Sequence, residues 1–152
     1  RANLIYLLYW TLQALAFPFL LLYLALRIRR NPAYRQHLGE RFGRLPGSMH
    51  RTVPGAIWLH AVSVGEAITA VGLLKRLKEE LPNAPIYVSC TTLAGRAMAE
   101  QKLAGLATAV FYAPIDYRFA VRRVLRTLKP SLVIVMETEI WPNLYRDARL
   151  SG

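Results

Sequence analysis

The chain has 152 residues, one cysteine and a net charge of +11 (20 Lys/Arg against 9 Asp/Glu), with a pI near 10.4. One cysteine and three scattered histidines exclude a disulfide framework and a Cys/His metal cluster. The charge favours an anionic partner such as nucleic acid, an anionic membrane surface or a phosphorylated substrate.

The length suits one domain with a real core. The chain begins with Arg1 rather than Met and is expected to be a piece of something longer. From Leu4 to Leu26 there is no charged residue. As a helix this run would reach ~34 Å, against ~30 Å for a hydrocarbon core. Tyr6, Tyr9, Trp10 and Tyr23 stand near its ends, where amphipathic rings favour the interface. The run is too long for a signal peptide and lacks the charged face of an interfacial helix. It predicts a single membrane-spanning anchor over residues 1–29. Arg27, Arg29, Arg30, Arg35, Arg41 and Arg44 follow, which places the remainder on the cytoplasmic side and attracts anionic lipid headgroups.

Residues 30–55 read as a basic juxtamembrane segment and linker. Tyr34, Leu38 and Phe42 at helical spacing suggest a short amphipathic helix lying against the membrane. Pro46-Gly47-Ser48 and Val53-Pro54-Gly55 punctuate the linker.

Beyond it the period alternates. Strands are expected over Ala56–Val62, Pro85–Thr91, Thr108–Ala113 and Ser131–Met136. Helices are expected over Glu66–Leu81, Leu93–Leu103 and Tyr117–Leu128. The first helix has Ile68, Val71, Leu74, Leu77 and Leu81 as its apolar face, and the third has Asp116 as its N-cap. The last strand is the most apolar and reads as covered on both faces. The order predicts an α/β fold with a parallel, Rossmann-like sheet over residues 56–152. Cys90 falls inside an apolar run and is expected to be a buried free thiol. No G-x-G-x-x-G, Walker A or H-E-x-x-H motif occurs. The basic residues follow no recognisable nucleic-acid fold, so a nucleic-acid partner is not expected.

Two carboxylates fall where ligands bind in such sheets, at the carboxyl ends of strands. Ser63-Val64-Gly65-Glu66 fits the capping box, in which Ser63 accepts from the amide of residue 66 and Glu66 reaches back to that of Ser63. On the pattern alone the cap is the commoner reading. A carboxylate in that turn can also serve as a base for a hydroxyl that loses its proton as it attacks. Glu137 ends the fourth strand. In a sheet of order 3-2-1-4 it would flank the same crevice as Glu66, unless Glu137 and Glu139 are solvated or cap a helix starting near Pro142. Thr91-Thr92-Leu93-Ala94-Gly95-Arg96 is a further strand-to-helix turn on that edge, whose threonines can cap and whose amides can receive an anion. His60 reads as a hydrogen-bonded core residue.

Taken together, the uncharged N-terminal run, Pro32-Ala33-Tyr34-Arg35, Gly39-Glu40-Arg41-Phe42-Gly43, Trp58 to Glu66 (with H-x-V-S-V-G-E) and Met136-Glu137-Thr138-Glu139-Ile140-Trp141-Pro142-Asn143-Leu144 are similar to a known pattern. The chain resembles the N-terminal half of 3-deoxy-D-manno-octulosonic acid (Kdo) transferases over nearly its whole length. The resemblance implies two Rossmann-like domains facing a cleft, the GT-B architecture, at the Gram-negative inner membrane. It implies transfer of Kdo from CMP-Kdo to the lipid A precursor (lipid IVA) without a metal or cofactor. In such a family the residue matching Glu66 is the base and the one matching Glu137 the transition-state stabiliser. Ser63, Gly65, Thr92, Arg35 and Arg41 are candidate acceptor-binding residues. The donor-binding domain has no counterpart in these residues, so the chain is expected to be inactive alone. The run Asp147 to Ser151 resembles a segment that in the family follows one further helix and strand. A membrane-anchored, anionic-lipid-binding module without catalysis is the alternative.

Overall fold

The computed structural model describes residues 2–51, 53, 55–137 and 139–151. Pro54 of the expected linker and Thr138 of the Met136–Asn143 motif lie outside them. The chain divides into two compact units, residues 1–36 and 37–152.

The first unit is helix α1 (Ala2–Arg30), followed by a 3-10 turn, Pro32–Arg35. Helix α1 is long and apolar enough to cross a membrane and carries exposed leucines and phenylalanine along its length, with Pro18 inside. Its last turn holds Arg27, Arg29 and Arg30, which oppose the negative end of the helix dipole. The Asn31 side chain then caps the 3-10 turn by accepting from the amide of Ala33 (3.0 Å).

The second unit alternates strand and helix. Strand β1 (Ala56–His60) leads to α3 (Val64–Glu80), β2 (Ile86–Cys90), α4 (Leu93–Lys102), β3 (Ala109–Tyr112), α5 (Arg118–Leu128), β4 (Pro130–Val135) and α6 (Pro142–Leu150). Ahead of them stands a single helical turn, α2 (Leu38–Arg41). The four strands are parallel in the order β3-β2-β1-β4. In β1 every side chain is buried. Its odd-numbered residues, Ile57 and Leu59, join Val88, Leu74 and Leu103 beneath α3 and α4. Its even-numbered residues, Ala56 and Trp58, join Phe111, Val121, Val124 and Leu144 beneath α5 and α6. The two-residue alternation of a strand thus feeds two cores, one on each face of the sheet. Since β1 is followed by β2 on one side and bonded to β4 on the other, the chain reverses direction across the sheet at the carboxyl ends of β1 and β4.

Several expectations need correction. The helix proposed over residues 34–42 is broken at His37, whose φ of +55° lies in the left-handed region. The segment after the break is no surface linker, because Glu40, Leu45 and Met49 are buried and Leu45 and Met49 belong to the core under α5. Of the expected apolar face of α3, Leu74 is buried and Val71 and Leu77 pack against the same core, but Ile68 and Leu81 are about half exposed and Ala67 and Ala70 complete the inner face. Small side chains let α3 lie close to the sheet and to α4. Strand β4 is an edge strand, and Leu132 is 46% exposed rather than covered on both faces. Asp116 does not cap α5. Its two carboxylate oxygens accept from the amides of Asn143 (3.0 Å) and Leu144 (2.9 Å), so it caps α6 instead. Those N-terminal amides have no partner within the helix, and an acidic group there also meets the positive end of the dipole.

Gly43 shows how closely residues 37–45 belong to the α/β unit. Its φ is +78°, and a Cβ there would collide with the carbonyl oxygen of Ala120 and lie 2.9 Å from Cβ of Arg123. Both strain and overlap fall on backbone that cannot move independently. Gly43→Ala is expected to destabilise the chain by about 2–5 kcal/mol in denaturant unfolding. A loss under about 1 kcal/mol would mean that this segment is only loosely attached.

Candidate active site

The turn from β1 into α3 brings its own polar groups to the carboxyl edge of the sheet. Ser63 has extended backbone (φ −127°, ψ 179°) and its carbonyl accepts the first helical amide, that of Ala67 (3.0 Å). Its hydroxyl does not accept from an α3 amide, as the simple capping box predicts. It donates instead to Oε1 of Glu66 (3.0 Å), while Oε2 of Glu66 accepts from the amide of Val62 (2.7 Å). The carboxylate therefore reaches back one residue further than expected. Glu66 is at once a cap and a half-buried acid with two donors holding its orientation.

Glu137 follows β4, and the amide of Met136 donates to the carbonyl of His60 (3.0 Å), which prolongs the β1–β4 ladder into the turn. Glu66 and Glu137 line one open groove of about 290 Å³ together with Ser63, Gly65, Thr69 and Met136. A Cβ on Gly65 would meet nothing within 4 Å, so the groove floor is open at that point.

The other candidate residues are placed differently. Thr92 caps α4, its hydroxyl accepting from the amide of Gly95 (2.9 Å). Gly95 is bound to be small, because a Cβ there would come within 3.1 Å of the Val62 carbonyl and 2.7 Å of the Thr92 hydroxyl. The N-terminus of α4 is thus pressed against the turn that carries Glu66. Arg41 donates to the carbonyl of Thr91 (2.9 Å) and its guanidinium lies 4.2 Å from the centre of the Tyr112 ring. Arg35 is exposed and belongs to the first unit.

Beside Arg41 is a buried ion pair that sequence reasoning did not find. Glu40 is 2% exposed; its Oε2 accepts from Arg96 Nη1 (2.5 Å) and from the amide of Tyr112 (2.7 Å). Arg96 also donates to Glu100 (2.7 Å) and lies 4.6 Å from the Tyr112 ring centre, on the ring that Arg41 also approaches. Burial works against the charge of Arg96, but its bonds to Glu100 and Glu40 prevail and raise its pKa. A lone acid within the basic run Gly39-Glu40-Arg41 was the available signal; what it could not show was a partner 56 residues away. Asp147, also buried, pairs with Arg122 through both oxygens (3.0 and 3.2 Å) and ties α6 to α5.

His60 is buried at the end of β1, with Nδ1 2.8 Å from the Ser89 hydroxyl, as a core histidine should be. Its Nε2 lies 3.5 Å from Oε2 of Glu139. Burial lowers the pKa of His60, with Glu139 and Glu66 acting in the other direction. Glu139 does not cap α6; its Oε2 accepts from the indole of Trp141 (2.6 Å). Cys90 is a buried free thiol whose pKa is pushed by burial up to about 12, which makes it unreactive at neutral pH.

The profile of the family described as 3-deoxy-D-manno-octulosonic-acid transferase (kdotransferase) matches residues 36–152. The 3-deoxy-D-manno-octulosonic acid transferase of Haemophilus influenzae is 37% identical over 138 residues, covering 90% of this chain and 31% of that protein. That of Chlamydophila psittaci is 33% identical over 119 residues, 78% of this chain and 27% of that protein. A probable mitochondrial 3-deoxy-D-manno-octulosonic acid transferase of Arabidopsis thaliana is 32% identical over 149 residues, 95% of this chain and 32% of that protein. The matched part of the chain thus spans 27–32% of the length of these curated relatives. It belongs to the 3-deoxy-D-manno-octulosonic-acid transferase family and corresponds to the N-terminal part of its relatives.

Proposed function

We propose that this chain is the acceptor-side part of a glycosyltransferase that moves Kdo from CMP-Kdo to the lipid A precursor in lipopolysaccharide core biosynthesis. The observation that carries the reading is the groove shared by Glu66 and Glu137 at the carboxyl ends of two neighbouring strands. In this reaction the acceptor hydroxyl oxygen bonds to the anomeric carbon of Kdo, and the bond from that carbon to the CMP phosphate breaks. The hydroxyl proton goes to the carboxylate of Glu66 and the bonding pair leaves with CMP. Glu137 faces the positive charge that develops on the sugar ring as the leaving group departs. Two carboxylates can divide the work in this way only if one addresses the acceptor and the other the donor sugar.

The residues 56–152 then form the Rossmann-like first half of a GT-B enzyme, with the donor held by a second domain. Ser63 and Gly65 border the acceptor. Thr92 and Arg41 support the edge on which it rests, and Arg35 meets the acceptor or a lipid headgroup at the bilayer surface. Helix α1 serves as a single membrane-spanning anchor in the Gram-negative inner membrane. Its terminal arginines keep the catalytic unit on the cytoplasmic side among anionic lipids. An acceptor carrying phosphates and acyl chains suits a basic chain anchored in this way.

A full-length transferase carrying these residues, supplied with CMP-Kdo and the lipid acceptor, is expected to form the glycosidic product. A chelator should leave its rate unchanged, because no step of this scheme uses a metal. The 152 residues alone should give no turnover. Failure of the full-length protein to transfer Kdo, with lipid binding intact, would favour a lipid-binding module without catalysis. A rate that collapses in the chelator and returns with a divalent cation would overturn the metal-free scheme.

A further inference from the structure

The carboxylate of Glu137 is exposed, and no hydrogen bond or ion pair to it is seen among the described residues. Nothing attached to its own side chain therefore fixes where it points. Its position depends on the backbone that follows β4, and that backbone is tied down through Glu139. The amide of Glu139 donates to the carbonyl of Glu137 (2.9 Å). The carbonyl of Glu139 accepts from the hydroxyl of Tyr145 on α6. One carboxylate oxygen of Glu139, Oε2, accepts from Trp141 Nε1 (2.6 Å) and faces His60 Nε2 (3.5 Å).

His60 is itself held in register. Trp58 Nε1 donates to the Ser89 hydroxyl oxygen (2.8 Å), and that hydroxyl lies 2.8 Å from His60 Nδ1. With the hydroxyl proton directed to Nδ1, the neutral imidazole carries its own proton on Nε2, pointing at Glu139. Burial favours that neutral form, and the charged groups facing the ring are Glu139 from the turn and Glu66 from α3. Trp141 completes the clamp by standing edge-on to the imidazole, with ring centres 5.2 Å apart at 85°. Hydrogen bonds therefore fix the imidazole between β1 and β2, and its buried Nε2, which has no hydrogen-bond partner among the described residues, stands 3.5 Å from the Glu139 carboxylate as a polar contact.

We infer that Glu139 is a positioning residue, which holds Glu137 at the groove by tethering the β4–α6 turn to the His60–Trp141 pair. The inference rests on the proposed role of Glu137, and it assigns a role to the second acid of the M-E-T-E run that neither charge stabilisation nor helix capping supplies. Because a single oxygen meets both partners, Gln at this position can keep the tether with its amide oxygen. Ala cannot.

Two measurements test this. Hydrogen exchange on the 152-residue chain should show residues 136–140 exchanging faster in Glu139→Ala, with β1 and β2 unchanged, and close to the parent in Glu139→Gln. In a full-length transferase, Glu139→Ala should lower kcat about 10²-fold with KM values preserved, the cost of a small displacement of a reacting group. Glu139→Gln should stay within about threefold of the parent on the same argument. Glu137→Gln should lose activity without loosening the turn, and adding Glu139→Ala to it should cost nothing more. Should Glu139→Ala not fold, Glu139→Asp, one methylene short of both partners, carries the same expectation. Unchanged exchange in the Ala or Asp variant would overturn the tether. An equal loss in Glu139→Gln and Glu139→Ala would assign Glu139 a charge role and overturn positioning. If the parent enzyme itself lacks transfer, the reading of Glu137 fails, while the exchange result still decides the tether.

Discussion

Glu66→Gln, placed in a full-length transferase that carries these residues, is expected to lower Kdo transfer by about 10²–10⁴-fold. The unfolding free energy should change by only about 1 kcal/mol or less. The two outcomes separate because of how the carboxylate is held. Glu66 accepts from the Val62 amide and from the Ser63 hydroxyl. A glutamine can accept the first bond with its amide oxygen and donate the second from its nitrogen, since the hydroxyl can turn and accept. The cap survives in a neutral form, but a neutral amide takes no proton from an attacking hydroxyl. Product formation and denaturant unfolding, measured on the same preparation, check both halves. Full activity in Glu66→Gln would leave the residue as a cap and nothing more. A large stability loss would show that the helix start depends on the negative charge itself.

Glu40→Ala is expected to destabilise the α/β unit by about 3–5 kcal/mol. Truncation strips the buried Arg96 guanidinium and the Tyr112 amide of a shared acceptor at 2.5 and 2.7 Å. Arg96 keeps its bond to Glu100, which is on the exposed side of α4 and cannot replace a buried partner. The loss also removes one polar link between α2 and β3, the bond from the Tyr112 amide to Glu40. Glu40→Gln should cost less, since it can still accept from the Tyr112 amide. Replacing both members of the pair, Glu40→Leu with Arg96→Met, should recover much of the stability, because the main penalty is an uncompensated buried charge. Urea unfolding of the three variants checks the order. A loss under about 1 kcal/mol for Glu40→Ala would mean that water readily takes the place of the carboxylate.

The sheet was legible because each strand is a short, mostly apolar run and each intervening helix begins after a Ser, Thr or acidic turn. Expected strand limits such as Ala56–Val62 exceed the observed Ala56–His60 by one or two residues, as ladders end before apolarity does. The alternation implies a parallel sheet; the order 3-2-1-4, taken from the doubly wound pattern, is the one observed, and it sets Glu66 and Glu137 at one edge. What was not legible depends on partners distant in the sequence. Residues 37–51 are rich in arginine and poor in apolar residues, so composition alone read them as a linker. They pack because Glu40 finds Arg96, and because Gly43 can press against α5. Asp116 stands one residue before Tyr117, the natural place for an N-cap of α5, yet α6 presents two free amides that compete for the same carboxylate. The face of α3 was legible only in part, at Val71, Leu74 and Leu77, for a different reason. Larger apolar residues were preferred over alanine, whereas close packing against the sheet requires Ala67 and Ala70. At the site itself, periodicity could place Glu137 at the end of a strand but could not show that Glu139, two residues on, turns inward to His60.

The central claim is that this chain supplies the acceptor side of the reaction. Its most direct test is binding by the 152-residue chain in lipid nanodiscs, with the phosphorylated lipid acceptor and CMP-Kdo offered separately. The acceptor should bind saturably, and Glu66→Trp, whose bulk occupies the groove without adding positive charge, should weaken that binding at least about tenfold, or about 1.4 kcal/mol. CMP-Kdo should not bind. Saturable binding of CMP-Kdo with none of the lipid acceptor would contradict the assignment and make this the donor side.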